Sequence, residues 1–264
     1  MFKTPFKTPL KPPRIPGKKR RPSLVAYTTF ILAALYLPLV ALSVLSFRGG
    51  PTLFHWYVRA FSDPQLLQSL WNSIFIGVGS TIISTVLGTM AALGLRRPRF
   101  PGRVAFESLI NLPLVLPEIV MGLSLLVWFS FLKMTLGLFS VILAHTTFSV
   151  SYVTLIILAR IKGMDPLLEE AASDLGATPW RAFWTVTFPL LLPAVISGAL
   201  LSFTLSFDDF LITFFTSGVG SDTLPIRIYS MMRFGVTPEM NAISFSVIFF
   251  TLLTVVMVFR LRRE

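Results

Sequence analysis

Cysteine is absent from the 264 residues, which excludes disulfides, thiolate catalysis and Cys-based metal sites. Only two histidines occur, His55 and His145, and two isolated imidazoles make no metal cluster. No G-x-x-x-x-G-K-[ST] phosphate loop is present, so the chain carries no nucleotide cradle of that type. Glu107, Glu118 and Asp174 are scattered by the expected topology, and no Ser/His/Asp set converges. These absences argue against an enzyme. No internal repeat is visible at solenoid spacing. Charged residues make up only 13% of the chain, about half the ~25% of a soluble domain.

What is there instead is apolar sequence. Hydrophobic residues make up 54%, gathered in runs long enough to cross a hydrocarbon core of ~30 Å as helices. Six spans are expected, at roughly 24–47, 69–95, 106–132, 138–159, 189–215 and 241–259. The chain therefore reads as an all-α polytopic membrane protein. The first apolar run exceeds the 7–15 residues of a signal-peptide core and no A-x-A site follows it, so it is expected to be a retained helix.

A net charge of +11 would suit nucleic acid, but its distribution points to a bilayer. Of the 23 Lys and Arg, only Arg48, Arg59, Lys133, Arg227 and Arg233 fall on one side of the expected spans. The rest gather on the other, in the N-terminal tail, around Arg96–Arg103, around Arg160–Arg181 and at the C-terminus. The positive-inside rule then puts both termini in the cytoplasm. Residues 1–23, basic and rich in Pro, cannot bury a core and are expected to be a disordered cytoplasmic tail touching anionic lipid. Residues 24–264 form the transmembrane domain.

The second span is rich in Gly77, Gly79, Ser80, Ser84, Gly88, Ala91 and Ala92. Small residues let helix backbones approach closely, so this helix is expected to sit centrally. The third span contains Pro113 and Pro117, which predict a kinked helix whose freed carbonyls face neighbours or water.

The cytoplasmic loop, about 160–189, carries a second signal. Asp165-Pro166 starts a helix, because Asp caps well and Pro suits the first helical position. Glu169 and Glu170 fall at the positive end of its macrodipole, and Gly176 is a natural terminator. On a helical wheel Leu167, Leu168, Ala171, Ala172 and Leu175 share one arc, and Glu169, Glu170, Ser173 and Asp174 the other. A second helix is expected from Thr178-Pro179 to Pro189, giving a helix–turn–helix outside the bilayer. Its acidic face disfavours a resting place on lipid, since interfacial helices usually carry Lys and Arg. A protein partner is the better fit.

The string EEAASDLGATPWRAFWTVTFP resembles the cytoplasmic loop motif of binding-protein-dependent ABC importer permeases, E-A-A-x3-G-x9-I-x-L-P. Here it reads Glu170, Ala171, Ala172, Gly176, Val186, Phe188 and Pro189, with the spacing kept and two mild apolar departures. The stretches 112–126, 144–153, 203–218 and 224–242 resemble the second permease subunit of spermidine/putrescine importers. The resemblance covers residues 24–259. It implies a type I ABC importer permease fold. It implies a second homologous permease, two ATPase subunits that bind ATP and Mg²⁺, and an extracytoplasmic polyamine-binding protein. This chain itself then binds no cofactor or metal. Residues Glu169, Glu170, Ala171, Ala172, Asp174, Leu175 and Gly176 would form the coupling helix that docks on the ATPase. The implied location is the bacterial cytoplasmic (inner) membrane. Iron or an amino acid remains an alternative substrate. A stand-alone secondary transporter is the different class, though it needs no such loop and often shows inverted halves.

Carboxylates inside apolar spans cost ~2.5–3.5 kcal/mol each by insertion scales and normally face a bundle interior or water. Glu118, Asp208 and Asp209 are therefore pathway candidates for a polycation, with Phe203, Phe207, Phe210 and Trp128 offering cation–π faces. The structural alternative for Asp208 and Asp209 is capping of a helix break or pairing with Arg227 or Arg233. Adjacent helical residues point about 100° apart, so both can hardly face one lumen. Glu118 has a similar alternative, as a hydrogen-bonded carboxyl in a kinked helix. His145 is expected to bond between helices.

Overall fold

The computed structural model describes residues 22–96, 100–165, 167–233, 235 and 237–261, with side chains described over 26–253 of these. The basic tail expected at residues 1–23 lies almost wholly outside them. Every regular element among the described residues is helical. In chain order they are α1 (Pro22–Leu45), α2 (His55–Ala60), α3 (Pro64–Arg96), α4 (Arg103–Val115), α5 (Glu118–Phe131), α6 (Leu138–Lys162), α7 (Leu167–Asp174) and α8 (Pro179–Ala182). A π-helical turn (Phe183–Thr187) follows, then α9 (Phe188–Asp208), α10 (Leu211–Thr216), α11 (Leu224–Met232) and α12 (Pro238–Leu261).

Helices α3, α6 and α9 form the centre and pack on one another most extensively. The small residues of α3 explain why. A Cβ on Gly88 would lie 2.7 Å from Val153 Cγ1 of α6, and one on Gly77 would lie 3.0 Å from the Phe203 ring of α9. Buried hydroxyls pair across the same seam: Ser84 Oγ and Ser202 Oγ are 2.8 Å apart, and Ser80 Oγ donates to Ser206 Oγ at 3.0 Å. Such bonds hold helices together where lipid tails are as apolar as the side chains. The central position expected for the second span is what α3 occupies. Around this centre, α1 packs against α12, and large apolar side chains such as Phe30, Trp71, Ile82 and Met90 stand exposed.

Two expected spans are built differently from their sequence reading. Among the described residues, four helical runs are long and apolar enough to cross a membrane, and α4 with α5 makes a fifth only as a pair bent by 115°. The third span is thus broken, not merely kinked. Pro117 has no N–H to continue α4, and its ring pushes the preceding residue out of the helical region; Leu116 sits at ψ 137 and Pro117 at ψ 135, both extended. The fifth span stops at Asp208, where Asp209 turns extended and α10 begins a new direction. At its other end the expected separate helix from Thr178 to Pro189 is continuous with the span, which runs from Pro179 to Asp208. One wide turn marks the junction, where the Phe188 N–H reaches back five residues to the Phe183 carbonyl. Helix α12 is 24 residues long, apolar over the described side chains Pro238–Leu253.

Candidate functional site: a carboxylate cavity and a docking loop

The break at Leu116–Pro117 and the break at Asp209–Phe210 face each other across one cavity of about 570 Å³. Its wall includes Pro117, Glu118 and Met121 from the first break, and Thr204, Asp208, Asp209 and Phe210 from the second. Phe148 and Tyr152 of α6 close the side. The two helix breaks thereby bring Glu118 together with the sequence-distant pair Asp208 and Asp209. Glu118 opens α5, where a negative charge suits the positive helix end, and its side chain is exposed to the cavity. Asp208, the last residue of α9, is likewise exposed.

Asp209 shares the cavity wall but is committed elsewhere. Its side chain is 6% exposed and sits 3.2 Å from His145 Nε2. Its Oδ2 accepts from the Thr213 backbone N–H and from Thr213 Oγ1, both at 2.8 Å, and its Oδ1 from the Ile212 N–H at 3.4 Å. These are the otherwise unpaired donors at the start of α10. His145 is fully buried; its Nδ1 lies 2.6 Å from Ser206 Oγ and its Nε2 2.9 Å from Thr213 Oγ1. A carboxylate in such a setting needs partners on every side, and Asp209 has them. His145 thus bonds between α6, α9 and α10, as its sequence context suggests. The cations considered as partners are engaged elsewhere: Arg227 Nη2 lies 3.7 Å from Asp63 and donates to Gln65 at 2.5 Å, and Arg233 stands 5.5 Å above the Tyr229 ring.

Of the aromatic candidates, Phe210 lines this cavity and Phe203, Phe207 and Trp128 do not. Phe207 stacks on Phe203 at 5.8 Å and packs in the cluster of Ala60, Leu66, Leu224 and Ile243. Trp128 is exposed and stacks on Phe131. The aromatics that line it are Phe148, Tyr152 and Phe210. The first two are four apart on α6 and so share a face, a spacing visible in the sequence.

At the opposite end of the bundle α7 stands off the ends of α3 and α9. It closes with two bonds: the Ala177 N–H donates to the Ala172 carbonyl at 3.0 Å and the Gly176 N–H to the Ser173 carbonyl at 2.9 Å. That pattern is the Schellman closure, and Gly176 supplies its left-handed residue at φ +83°. Leu167, Leu168, Ala171 and Leu175 are exposed, Leu175 at 90%, and Trp180 of α8 is 71% exposed beside them. Glu170 and Asp174 are exposed as well. Glu169 departs from its expected place on the solvent face. With Ala172 it forms the half-buried side of α7, because Arg96 waits there. Arg96 Nη1 and Nη2 donate to its two oxygens at 2.6 Å each, and Thr187 Oγ1 donates to Oε1 as well. The Arg96 hydrogen bonds, helped by Thr187, hold the Glu169 carboxyl below the usual carboxylate range in spite of partial burial.

The model of one protein family, the binding-protein-dependent transport system inner membrane component, matches residues 84–263. Among curated relatives, the spermidine/putrescine transport system permease protein PotC of Haemophilus influenzae is 39% identical over 88% of this chain and 93% of its own length. The putrescine transport system permease protein PotI of Escherichia coli K12 is 39% identical over 80% of each chain. PotC of the same strain is 35% identical over 87% of this chain and 90% of its own. Among solved structures, a chain of a bacterial ABC transporter involved in the import of the acidic polysaccharide alginate superposes with a TM-score of 0.68. It is 18% identical and covers 98% of this chain and 99% of that one. A chain of an amino acid ABC transporter crystallised with histidines reaches 0.60 at 21% identity, over 79% and 98%. At such identities these two speak for the fold alone.

Proposed function

Because this chain belongs to the family of inner membrane components of binding-protein-dependent transport systems and has the type I ABC importer permease fold, we propose that it is a permease subunit of an ATP-driven polyamine importer. The observation that carries the substrate class is the convergence of Glu118, Asp208 and Asp209 on one cavity with Phe148, Tyr152 and Phe210. The names of the relatives, spermidine/putrescine and putrescine permeases, agree with it. A polyamine is a flexible chain of ammonium groups. Leaving water, each ammonium needs a counter-charge or an acceptor. Exposed Glu118 and Asp208 supply charge, and the aromatic faces add cation–π attraction that tolerates sliding. Asp209, tied to α10, adds field without moving. Two mobile carboxylates on separate helix breaks hold a polycation weakly at several points, which suits passage rather than storage.

In this reading a second homologous permease completes the pathway, and an extracytoplasmic binding protein delivers the polyamine. Two ATPase subunits bind ATP with Mg²⁺ and hydrolyse it. The exposed apolar patch of Leu167, Leu168, Leu175 and Trp180 with Glu170 and Asp174 beside it is the docking face for one of them, shaped by the turn at Gly176. The side that bears this patch is cytoplasmic, and both termini lie there. Support comes from the charge asymmetry: Arg96, Arg103, Arg160, Lys162 and Arg181 cluster at that end. At the other, Arg59 and Arg227 are matched by Glu239 and Asp63.

The experiment is radiolabelled putrescine uptake by the reconstituted complex, with spermidine, spermine, an amino acid and ferric iron as competitors. Competition by polyamines alone, and loss of uptake in Asp208→Asn with the complex still assembled, is the expected result. Uptake blocked by the amino acid or iron instead, or an Asp208→Asn complex that transports normally, would overturn the reading.

A further inference from the structure

We infer that Glu169 is not a docking group but the tie that carries movement of the docking helix into the membrane, with Arg96 and Thr187 as its positioning partners. The inference rests on the importer reading above and assigns a part of the machinery that reading leaves open, namely how α7 is held to the spans.

The geometry singles out this carboxylate. Each of its oxygens accepts from a separate Arg96 nitrogen at 2.6 Å, a two-pronged fork. Thr187, itself 1% exposed, donates to the same carboxylate from the π turn that opens α9. One side chain of α7 therefore joins the last residue of α3 to the first turn of the fifth span. A fork resists both sliding and tilting, whereas a single point charge resists only separation. Helix α7 is otherwise joined by the chain on either side of it and packs against α8 and the π turn. The end of α3 is the place to deliver force, because α3 is 33 residues long and packs on both α6 and α9. Tyr152 and Phe148 of α6, and Asp208 of α9, line the cavity. Glu170 and Asp174, one and five positions on, carry no such bonds to the bundle and stay exposed. The fork lies in a second cavity of about 400 Å³ that Arg103, Lys162 and Asp165 also line.

The test uses the complete complex. Because the chain has no Cys, spin labels placed at the exposed Ser173→Cys and Met90→Cys report the α7–α3 distance without background. In the parent protein this distance should be the same with and without trapped ATP, since the two helices move as one. In Glu169→Arg it should broaden and shift with nucleotide, and ATP hydrolysed per polyamine imported should rise about fivefold, the effect of ~1 kcal/mol. The charge swap Arg96→Glu with Glu169→Arg should restore both readouts, and Thr187→Val should give a smaller change in the same direction. A parent distance that changes with nucleotide overturns the inference. So does a swap that restores neither readout, or a Glu169→Arg complex that loses ATPase binding and transport in step at an unchanged ratio. Failure of the polyamine reading looks different: the parent complex imports no polyamine while the spin-label distances behave as described.

Discussion

Replacing Gly176 by Ala tests the docking loop through one dihedral angle. Gly176 sits at φ +83°, and a Cβ there would meet nothing within 4 Å. No clash therefore enters, and the whole cost is the left-handed backbone, about 1–2 kcal/mol for a residue with a Cβ. That cost falls on the Schellman closure, whose two bonds from Ala177 and Gly176 hold the last turn of α7. Helix α7 has eight residues, well under the ~12–15 at which an isolated helix becomes even marginal. Its docking-competent form is thus not held in large excess. Apparent affinity for a partner scales with the fraction in the competent form, so most of the penalty should reach the measured affinity. The expected result is ATPase binding weakened by about five- to thirtyfold in Gly176→Ala, measured by titrating the ATPase onto permease in nanodiscs. Asn tolerates the left-handed region better than Ala, so Gly176→Asn should fall between. Gly94→Ala is the control: it also opens into free space but carries no positive φ, and its affinity should match the parent. Equal affinity for Gly, Asn and Ala at 176 would refute the argument, since it would mean that the partner does not read the turn.

Four further outcomes follow from the geometry. Glu118→Gln should slow uptake more for spermidine than for putrescine, because only charge is removed and the more highly charged substrate loses more; equal defects in paired uptake assays would take Glu118 out of the pathway. Asp209→Ala leaves the Ile212 and Thr213 N–H groups without their acceptor and should cost about 2–6 kcal/mol at ~1–3 kcal/mol per orphaned group, whereas exposed Asp208→Ala should stay within ~0.5 kcal/mol; thermal unfolding in detergent separates the two. Gly88→Ala places a Cβ 2.7 Å from Val153 Cγ1 and should lower stability by about 1–3 kcal/mol, with partial recovery in combination with Val153→Ala. Finally, Glu169 has its pKa lowered in the folded protein by Arg96. Its contribution is complete above the ordinary carboxylate range and fades as pH falls through its depressed folded value, so stability should be flat from neutral to mildly acid pH and drop below it. Glu169→Gln should not show that drop.

The sequence makes helices legible and their breaks much less so. Long apolar runs and the small-residue face of α3 point directly at a membrane bundle with α3 at its centre, because both follow from local composition. What Pro117 does is not local. A proline in a span permits a gentle kink or a full reversal, and the 115° bend between α4 and α5 depends on α10 packing against α5. The continuity of α8 with α9 escaped sequence reading for the opposite reason. Thr178-Pro179 and Pro189 look like two boundaries, yet a π turn absorbs the second one by letting Phe188 bond five residues back.

The carboxylates show the same division in the site. Their rarity in apolar sequence singles out Glu118, Asp208 and Asp209 whatever the fold, since each must find water, charge or donors. Sequence alone treats Asp208 and Asp209 as equivalents that compete for one lumen. The helix ending between them removes the competition: Asp208 keeps its helical direction toward the cavity, and Asp209, already extended, turns back onto the α10 N–H groups and His145. Seven residues into α6, His145 reaches Ser206 of α9 and Thr213 of α10 together, so the break is pinned from a third helix. One carboxylate thus stands exposed in the cavity and the other is fixed in its wall. The fixed one has His145 and Thr213 as the partners that a carboxylate needs in a nearly dry setting. Two adjacent aspartates are required because no single carboxylate can both cap α10 and reach into the cavity.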